Sequence, residues 1–592
     1  MNFKLTILAA SISIALVACG GGGDSAITPI TPTTATLTGT AASGAPIVGT
    51  VTIKDSSSTP KTKTVTIAAD GKYTVDVSDM TSPFMMRADG TVGGRSYSLY
   101  SAAASSDING TVNITPLTDL IVANIAGQVA SSIYTSGNFS SLTPAALSQA
   151  ETNLQQRLQP VLTALGLDTA IDLLRATFNA NHTGLDAVLD VLRVTVAPDG
   201  LSATIKNVIT NQQITDDLAN PSDITQVNDV TGVITGATDL QQIVTQFDAW
   251  SALFATSLPS STNPALLALF DSTFKFDGED LPTLLTDLTT NSLLIGAKFT
   301  NITLDTLTAT EADVSFSVLY SGQSEHLKFK MIKAGGIWKM AGNQRIAYAN
   351  TLTFARKDYT GAIDTGLALE IKDEGAVGID YAIVTGPGLP ATTGGANGAS
   401  EGALLVNAIS NNSFRLAQPG SPYNGTSTAL LTNGHNQLAL SDTVIGGIGN
   451  NEAYTVTLYD DAGTPSVLAD DVAIVGGTYT NVLGKRPYLL TELSAASFPT
   501  ITTTATQIGS FATAGGNLTV SWTLPSGLTS EEVHFFRSGT SGQDSTDADV
   551  TATATSTLLT IAAPTATITG SGINLYAEDV FGRELVTIIN GQ

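Results

Sequence analysis

Apolar and polar residues alternate early in the chain. Val48-Gly49-Thr50-Val51-Thr52-Ile53, Thr64-Val65-Thr66-Ile67 and Lys72-Tyr73-Thr74-Val75-Asp76-Val77 read as half-buried strands, and Asp70-Gly71 as a turn. They predict a small β unit over 37–114. At Thr115-Pro116 the period changes. Leu117, Leu120, Ile121 and Ile125 recur at helical spacing, with Thr115 placed to cap the helix and Pro116 in its first turn, where a missing N–H costs nothing. Thr143-Pro144 repeats the device ahead of Leu154, Leu158, Val161 and Leu165, with a kink expected at Pro160. A further helix is expected from Thr183, capped by its hydroxyl with Asp186 three residues on, through Leu185, Val188, Leu189 and Leu192. With a hairpin around Asp199-Gly200, residues 115–236 read as a helical domain.

From residue 237 both periods occur. Leu240, Ile243, Val244, Phe247, Trp250 and Phe254 form an apolar helical stripe, and a second helical stretch leads to Phe274-Lys275-Phe276-Asp277-Gly278. Strands are expected at 298–304, 314–320, 327–332 and 337–340, where Val314, Phe316, Val318 and Tyr320 alternate with other residues. Beyond Asn350 the pattern is strands and glycine-rich loops to the end. Segments 367–371, 381–384, 404–406, 454–458 and 472–475 predict a β-sandwich over 351–495. A last sandwich over 496–592 rests on Leu518-Thr519-Val520-Ser521-Trp522, Val533-His534-Phe535-Phe536, 557–561 and 573–577. The expected fold class is multidomain and β-rich: a β-sandwich, a helical domain, an α+β unit and two β-sandwich modules.

Three of these units resemble known families. Gly44-Ala45-Pro46-Ile47 with Asp70-Gly71-Lys72-Tyr73 resembles the carboxypeptidase regulatory-like domain, a transthyretin-like β-sandwich. That module accompanies some carboxypeptidases without carrying their zinc ligands and recurs as a spacer in exported bacterial proteins, so the resemblance implies no peptidase activity. Helices followed by a curved antiparallel sheet ending in Gly336-Ile337-Trp338-Lys339 resemble the NTF2-like (SnoaL-like) α+β cone over 237–350. Members of that family enclose a cavity which some use for small molecules and others fill. Trp250, Phe274 and Trp338 are therefore candidate cavity residues or packed core. An enzyme would also need an acid–base group there; Asp248 and His326 fall on the polar phase of their elements and are not assigned. The Trp522 strand and Tyr576-Ala577-Glu578-Asp579 before Gly582 resemble fibronectin type III-like or Ig-like modules, a superfold that conveys no function.

The N-terminus carries an address. Lys4 precedes an apolar run over 5–17 that is too short to span a bilayer permanently, so residues 1–18 read as a signal peptide. Leu16-Val17-Ala18-Cys19 resembles the lipobox of bacterial lipoprotein precursors. The resemblance implies a diacylglyceryl group on the Cys19 thiol, cleavage just before it, and acylation of the new amine by a chain such as palmitate. An ordinary secretory signal with an incidental cysteine is the alternative. Gly20 stands where an aspartate retains many lipoproteins in the inner membrane, which favours the outer membrane. Residues 19–36 form a Gly/Pro/Thr tether that reaches up to roughly 50 Å, at about 3 Å per residue.

Composition and motifs narrow the chemistry. Cys19 is the only cysteine, so no internal disulfide forms after processing. A formal charge of −25 repels phosphate backbones and makes nucleic acid an improbable partner. Gly398-Ala399-Ser400-Glu401-Gly402 matches the serine-hydrolase elbow literally but is followed by a strand-like run where the elbow needs a helix. His182, His326, His435 and His534 show no zinc-ligand spacing, and no cofactor fingerprint appears. Asp460-Asp461, Asp470-Asp471 and Asp544/Asp547/Asp549 read as acidic loops without the EF-hand pattern. No catalytic, cofactor-binding or metal residue is assigned. The favoured function is a non-catalytic, lipid-anchored envelope scaffold on the outer membrane or cell surface, held by its acyl groups and offering a surface to a protein or glycan. The rival is a small-molecule binder or enzyme centred on the cone, and a polysaccharide-attachment subunit ranks last.

Overall fold

The computed structural model describes residues 34–591 except 198, 221, 223, 390–401, 408–413, 432–435 and 541. Cys19 and most of the tether lie outside the described residues, as do the signal segment, Gly398–Glu401 and His435. In the first unit Thr36–Thr40 pairs antiparallel with Lys72–Asp76, and a four-stranded sheet orders Thr62–Thr66, Val48–Lys54, Phe84–Val92 and Arg95–Ala103. Strand alternation gives this sheet two faces. Phe84, Met86 and Ala88 join Val51, Ile53 and Val75 in the inner core. Met85, Tyr100 and Ala102 point the other way, onto Leu117, Leu120 and Ile121 of the helix Pro116–Ala126. Thr115 caps that helix by accepting from the Thr118 amide at 3.2 Å. The buried Asp119 carboxylate accepts from the Tyr100 amide at 3.0 Å, and Thr118 Oγ1 donates to the Tyr100 carbonyl at 3.0 Å, which fastens helix to strand.

The helical unit departs from the sequence pattern at one start. Pro144–Ala164 follows its Thr143 cap as expected, with Pro160 inside it. The next helix runs Leu185–Val191 with Gly184 at its N-cap. Thr183 does not cap it; its Oγ1 donates to Asn181 Oδ1 at 2.7 Å, while Asp186 accepts from the His182 amide at 2.7 Å. The expected hairpin is one edge of a three-stranded antiparallel sheet, Leu192–Val196, Ser202–Asn207 and Gln213–Asp217. Arg157 and Asp216, both almost wholly buried and 3.0 Å apart, tie the long helix to the last strand.

In the following unit the helix Val233–Phe254 lies on a four-stranded meander of Lys298–Leu307, Glu311–Tyr320, Gln323–Ala334 and Ile337–Met340. Ile243, Phe247 and Trp250 of the helix share a core with Val314, Phe316, Phe329 and Met331 of the sheet.

The C-terminal half is built on one seven-stranded sheet, ordered Gln437–Ala439, Ile363–Lys372, Tyr348–Lys357, Glu584–Asn590, Ile568–Asp579, Leu528–Gly539 and Gly542–Asp549. Its centre is a parallel pairing of Phe354–Lys357 with Glu584–Thr587, so it runs across residue 495 and joins strands from both expected sandwiches. Two cores remain. At one end Leu367 and Leu369 pack against a five-stranded sheet through Ala382, Leu405, Val456 and Leu458. At the other Val533, Phe535 and Ile573 pack against Leu518, Val520 and Trp522. This second core also takes a helix that the all-strand expectation missed. Ala505–Ala514 begins with a capping box between Thr504 and Gln507 and buries Ile508, Phe511 and Ala512. Residues 542–549 are likewise an edge strand and not an acidic loop: Asp544 pairs across it with Arg537 at 2.6 Å.

Polar junctions join the units. The nearly buried Asp305 meets Lys328 at 3.2 Å, Arg95 at 3.4 Å and Arg193 at 3.5 Å, and accepts from Ser315 Oγ at 2.7 Å. Asn451 exchanges two hydrogen bonds of 2.9 Å with the Ser96 backbone. Burial opposes ionisation of Asp305, but Lys328, Arg95, Arg193 and Ser315 outweigh it and hold the carboxyl below its usual pKa. Its contribution to stability is therefore full above the ordinary aspartate pKa and is lost as pH falls through the lowered folded value. Asp305→Asn should lower stability at pH 7 by about 2 kcal/mol, less than a fully buried pair because the cations keep solvent contact. The deficit should vanish in strong acid; denaturant midpoints at both pH values measure it.

Candidate functional site

The structure places the three candidate cavity residues in the core. Trp250, Phe274 and Trp338 are 2%, 5% and 1% exposed. Trp250 stacks on Phe299 with centroids 3.7 Å apart and meets Phe270 edge-on at 5.5 Å. Phe274 meets Phe270 at 5.4 Å and Phe329 at 6.0 Å. Rings therefore occupy the space between helix and sheet. Trp338 Nε1 turns instead to Asp239, donating to Oδ1 at 3.1 Å, and Lys333 Nζ meets the same oxygen at 2.6 Å.

The residues left unassigned separate. Asp248 lies exposed on its helix. His326 Nδ1 is 3.0 Å from Ser317 Oγ, a serine–histidine contact that sequence spacing did not suggest. The cross-strand register Ser317↔His326 creates it. Burial pushes the imidazole down to about 4, so it is neutral at pH 7, and Ser317 is wholly buried. The pair satisfies an interior hydroxyl.

Acidic pairs in the five-stranded sandwich are met by phenols. Tyr381 donates to Asp471 at 2.6 Å and Tyr423 to Asp461 at 2.7 Å, and Tyr381 stacks between Tyr423 and Tyr459 with centroid separations of 4.1 and 4.8 Å. The Tyr381 and Tyr423 rings are interior, and Tyr459 is partly buried. Among the described residues only Tyr359, 63% exposed, presents a mostly exposed aromatic ring, so a planar row of sugar-stacking rings is not formed there.

A second acidic group sits where Gln323 Nε2 reaches the backbone carbonyls of Glu531 and Val550. Burial first, then the charge of Glu531, pushes the Glu578 carboxyl up to about 9. Burial with the charges of Glu531, Glu370 and Glu532 pushes Glu584 up to about 8. These raised values mean that the folded chain holds protons which the unfolded chain releases.

No known protein family matches the chain, and no curated protein matches it. Several solved structures align with it. The FN1–FN3 domains of chicken CNTN1 cover 49% of this chain and 77% of their own, at 9% identity and a TM-score of 0.13. A tetra-tandem repeat from the extending region of a large adhesion protein covers 94% and 98%, at 10% identity and a TM-score of 0.13. A Ca²⁺-stabilised adhesin that helps an Antarctic bacterium reach out and bind ice also covers 94% and 98%, at 10% identity and a TM-score of 0.12. Scores of this size fall well short of a shared overall fold.

Two measurements follow. Glu578→Gln should raise Tm at pH 8 by about 2–4 °C, the equivalent of roughly 1 kcal/mol, and leave it unchanged near pH 3, where the wild-type carboxyl is protonated in both states. Trp250→Ala should cost about 3–5 kcal/mol in denaturant unfolding, because it empties the centre of the ring cluster; a ligand-lining role predicts little loss of stability.

Proposed function

We propose that the protein is a lipid-anchored, non-catalytic scaffold of the bacterial cell envelope, bound to the outer membrane and offering its stacked units as a binding or assembly surface. The observation that carries this reading is Leu16-Val17-Ala18-Cys19 followed directly by the Gly/Pro/Thr tether. One acyl chain holds a protein marginally, and two or three hold it stably, at about 0.8 kcal/mol for each buried methylene. The tether then carries a carboxypeptidase regulatory-like sandwich, a helical unit, an NTF2-like unit acting as a packed spacer, and two fibronectin type III/Ig-like modules. Two features support a stiff projection over a loose string of beads: the Asp305 cluster, and the sheet shared by the last two modules. The partner surface is a protein or glycan, with the acyl groups as the only membrane contact.

Metabolic labelling with an alkynyl palmitate tests the anchor. The wild-type chain should carry label and sediment with the outer membrane. Cys19→Ala should lose the label and the membrane association together, and an unlabelled wild-type chain would overturn the proposal. Protease shaving of intact cells then separates the faces: digestion without membrane disruption supports surface display, and protection refutes it.

A further inference from the structure

We propose that His182, Asp186 and Asp190 form a site for one divalent transition-metal ion of the zinc type, set beside the contacts of the helical unit with the first sandwich and with the helix Val233–Phe254.

The three residues stand four apart. Asp186 and Asp190 therefore share a face of the helix Leu185–Val191, and His182 lies just before it. His182 has φ +62°, in the left-handed region that a non-glycine residue rarely occupies. The turn this makes brings its imidazole back along the helix, so that Nδ1 lies 3.0 Å from Asp190 Oδ1. One ligating atom from each of the three residues lies within 4.8 Å of the others, and all three residues are buried.

Two carboxylates buried beside a single imidazole exceed the one positive charge that the ring can carry, so a further cation there offsets the excess. The hydrogen bonding leaves a place for one. Asp186 Oδ2 accepts from the His182 amide, but Asp186 Oδ1 is wholly buried with no hydrogen-bond partner. Asp186 lies between the other two ligands in sequence, and its Oδ1 is the acceptor that a cation there would meet. One nitrogen and two oxygen donors suit zinc and its neighbours better than calcium, which takes six to eight oxygens. Tetrahedral bonds of about 2.0–2.2 Å set ligand atoms about 3.4 Å apart, so the 3.0 Å contact opens slightly and the widest gap closes by at most about 1.4 Å.

The cluster lies where the helical unit meets its neighbours. Gly44 of the first sandwich, at φ +75°, closes over Asp190 so tightly that a Cβ there would lie 2.9 Å from Oδ1. From the other side Gln241 of the helix Val233–Phe254 donates to the His182 carbonyl at 3.2 Å. A cleft lined by Ser43, Gly44, Tyr97, Arg193 and Thr303 reaches Asp190.

The test uses the chain from residue 19 onward with Cys19→Ala and no histidine tag, stripped with EDTA. Calorimetric titration with Zn²⁺ at pH 7 should show one site per chain, and a hundredfold excess over Kd should raise Tm by about 5–10 °C. Asp186→Asn, which keeps the side chain's shape, should weaken Zn²⁺ at least tenfold and cut the Tm rise by about half or more. His534→Ala removes the part-buried Glu532/His534/Asp547 group as a competing site and should change neither result. If Asp186→Asn fails to fold, Co²⁺ added to the His534→Ala chain decides: visible d–d bands that Zn²⁺ bleaches support the site. Absent bands, no stoichiometric binding, or equal binding by Asp186→Asn would overturn it.

Discussion

The arrangement of the units depends on one buried carboxylate. Asp305 gathers Arg95 from the first sandwich, Arg193 from the small sheet of the helical unit and Lys328 from its own meander. Each cation that reaches the buried carboxylate offsets part of its desolvation cost, so docking of one unit favours docking of the others. The docking element is the hairpin Gly93-Gly94, where both residues have positive φ as a tight two-residue turn requires. A Cβ on Gly93 would lie 2.9 Å from Thr303 Oγ1, and one on Gly94 would lie 3.1 Å from His326 Cβ. The missing side chains let the turn sink into the meander and deliver Arg95 to Asp305. The same turn accepts Gly484 from the far sandwich, whose Cβ would lie 2.5 Å from the Gly94 carbonyl oxygen, and Ser96 beside it binds Asn451. Four residues thus link three distant parts of the chain.

What the sequence reveals follows from the range of each interaction. The strands around Val51 and Val75, the Thr115-Pro116 helix start, the Trp250 stripe and the Val314–Tyr320 alternation are all written in local period, and they appear where that period puts them. The helix Ala505–Ala514 also had a local signal, Thr504 three residues before Gln507, but a short stretch with Ile508, Phe511 and Ala512 is weak beside the strands around it. Thr183 misled because a threonine beside a glycine can turn its hydroxyl to a neighbouring side chain, here Asn181. The parallel pairing of Phe354 with Glu584 and the meeting of Arg95, Arg193 and Asp305 join residues far apart in sequence and have no local signature. The histidine contacts divide in the same way. The His182 spacing is visible in sequence once the turn is known, whereas the Ser317–His326 contact needs the strand register.

The charge balance connects this packing to the proposed role. Lysine and arginine number 26 against 51 aspartates and glutamates, so cations are scarce. Many of them are spent inside: Arg157 on Asp216, Arg537 on Asp544, Arg583 on Asp579, Lys333 on Asp239, and three on Asp305. The one-to-one pairs remove a carboxylate with each cation and leave the remaining charge unchanged, but the Asp305 group holds three cations against one carboxylate and so leaves the rest of the chain more acidic by two charges. An acidic body is repelled by anionic headgroups over a Debye length of about 8 Å. In the proposed arrangement that repulsion and the tether act in the same direction: the acyl chains hold the protein to the membrane while its charge keeps the folded units off it. A basic body on the same tether would lie down on the lipid and hide its surface. In that proposed arrangement the three cations gathered at Asp305 would serve two ends at once, fixing the units to one another and adding to the acidity that keeps their exposed faces off the lipid.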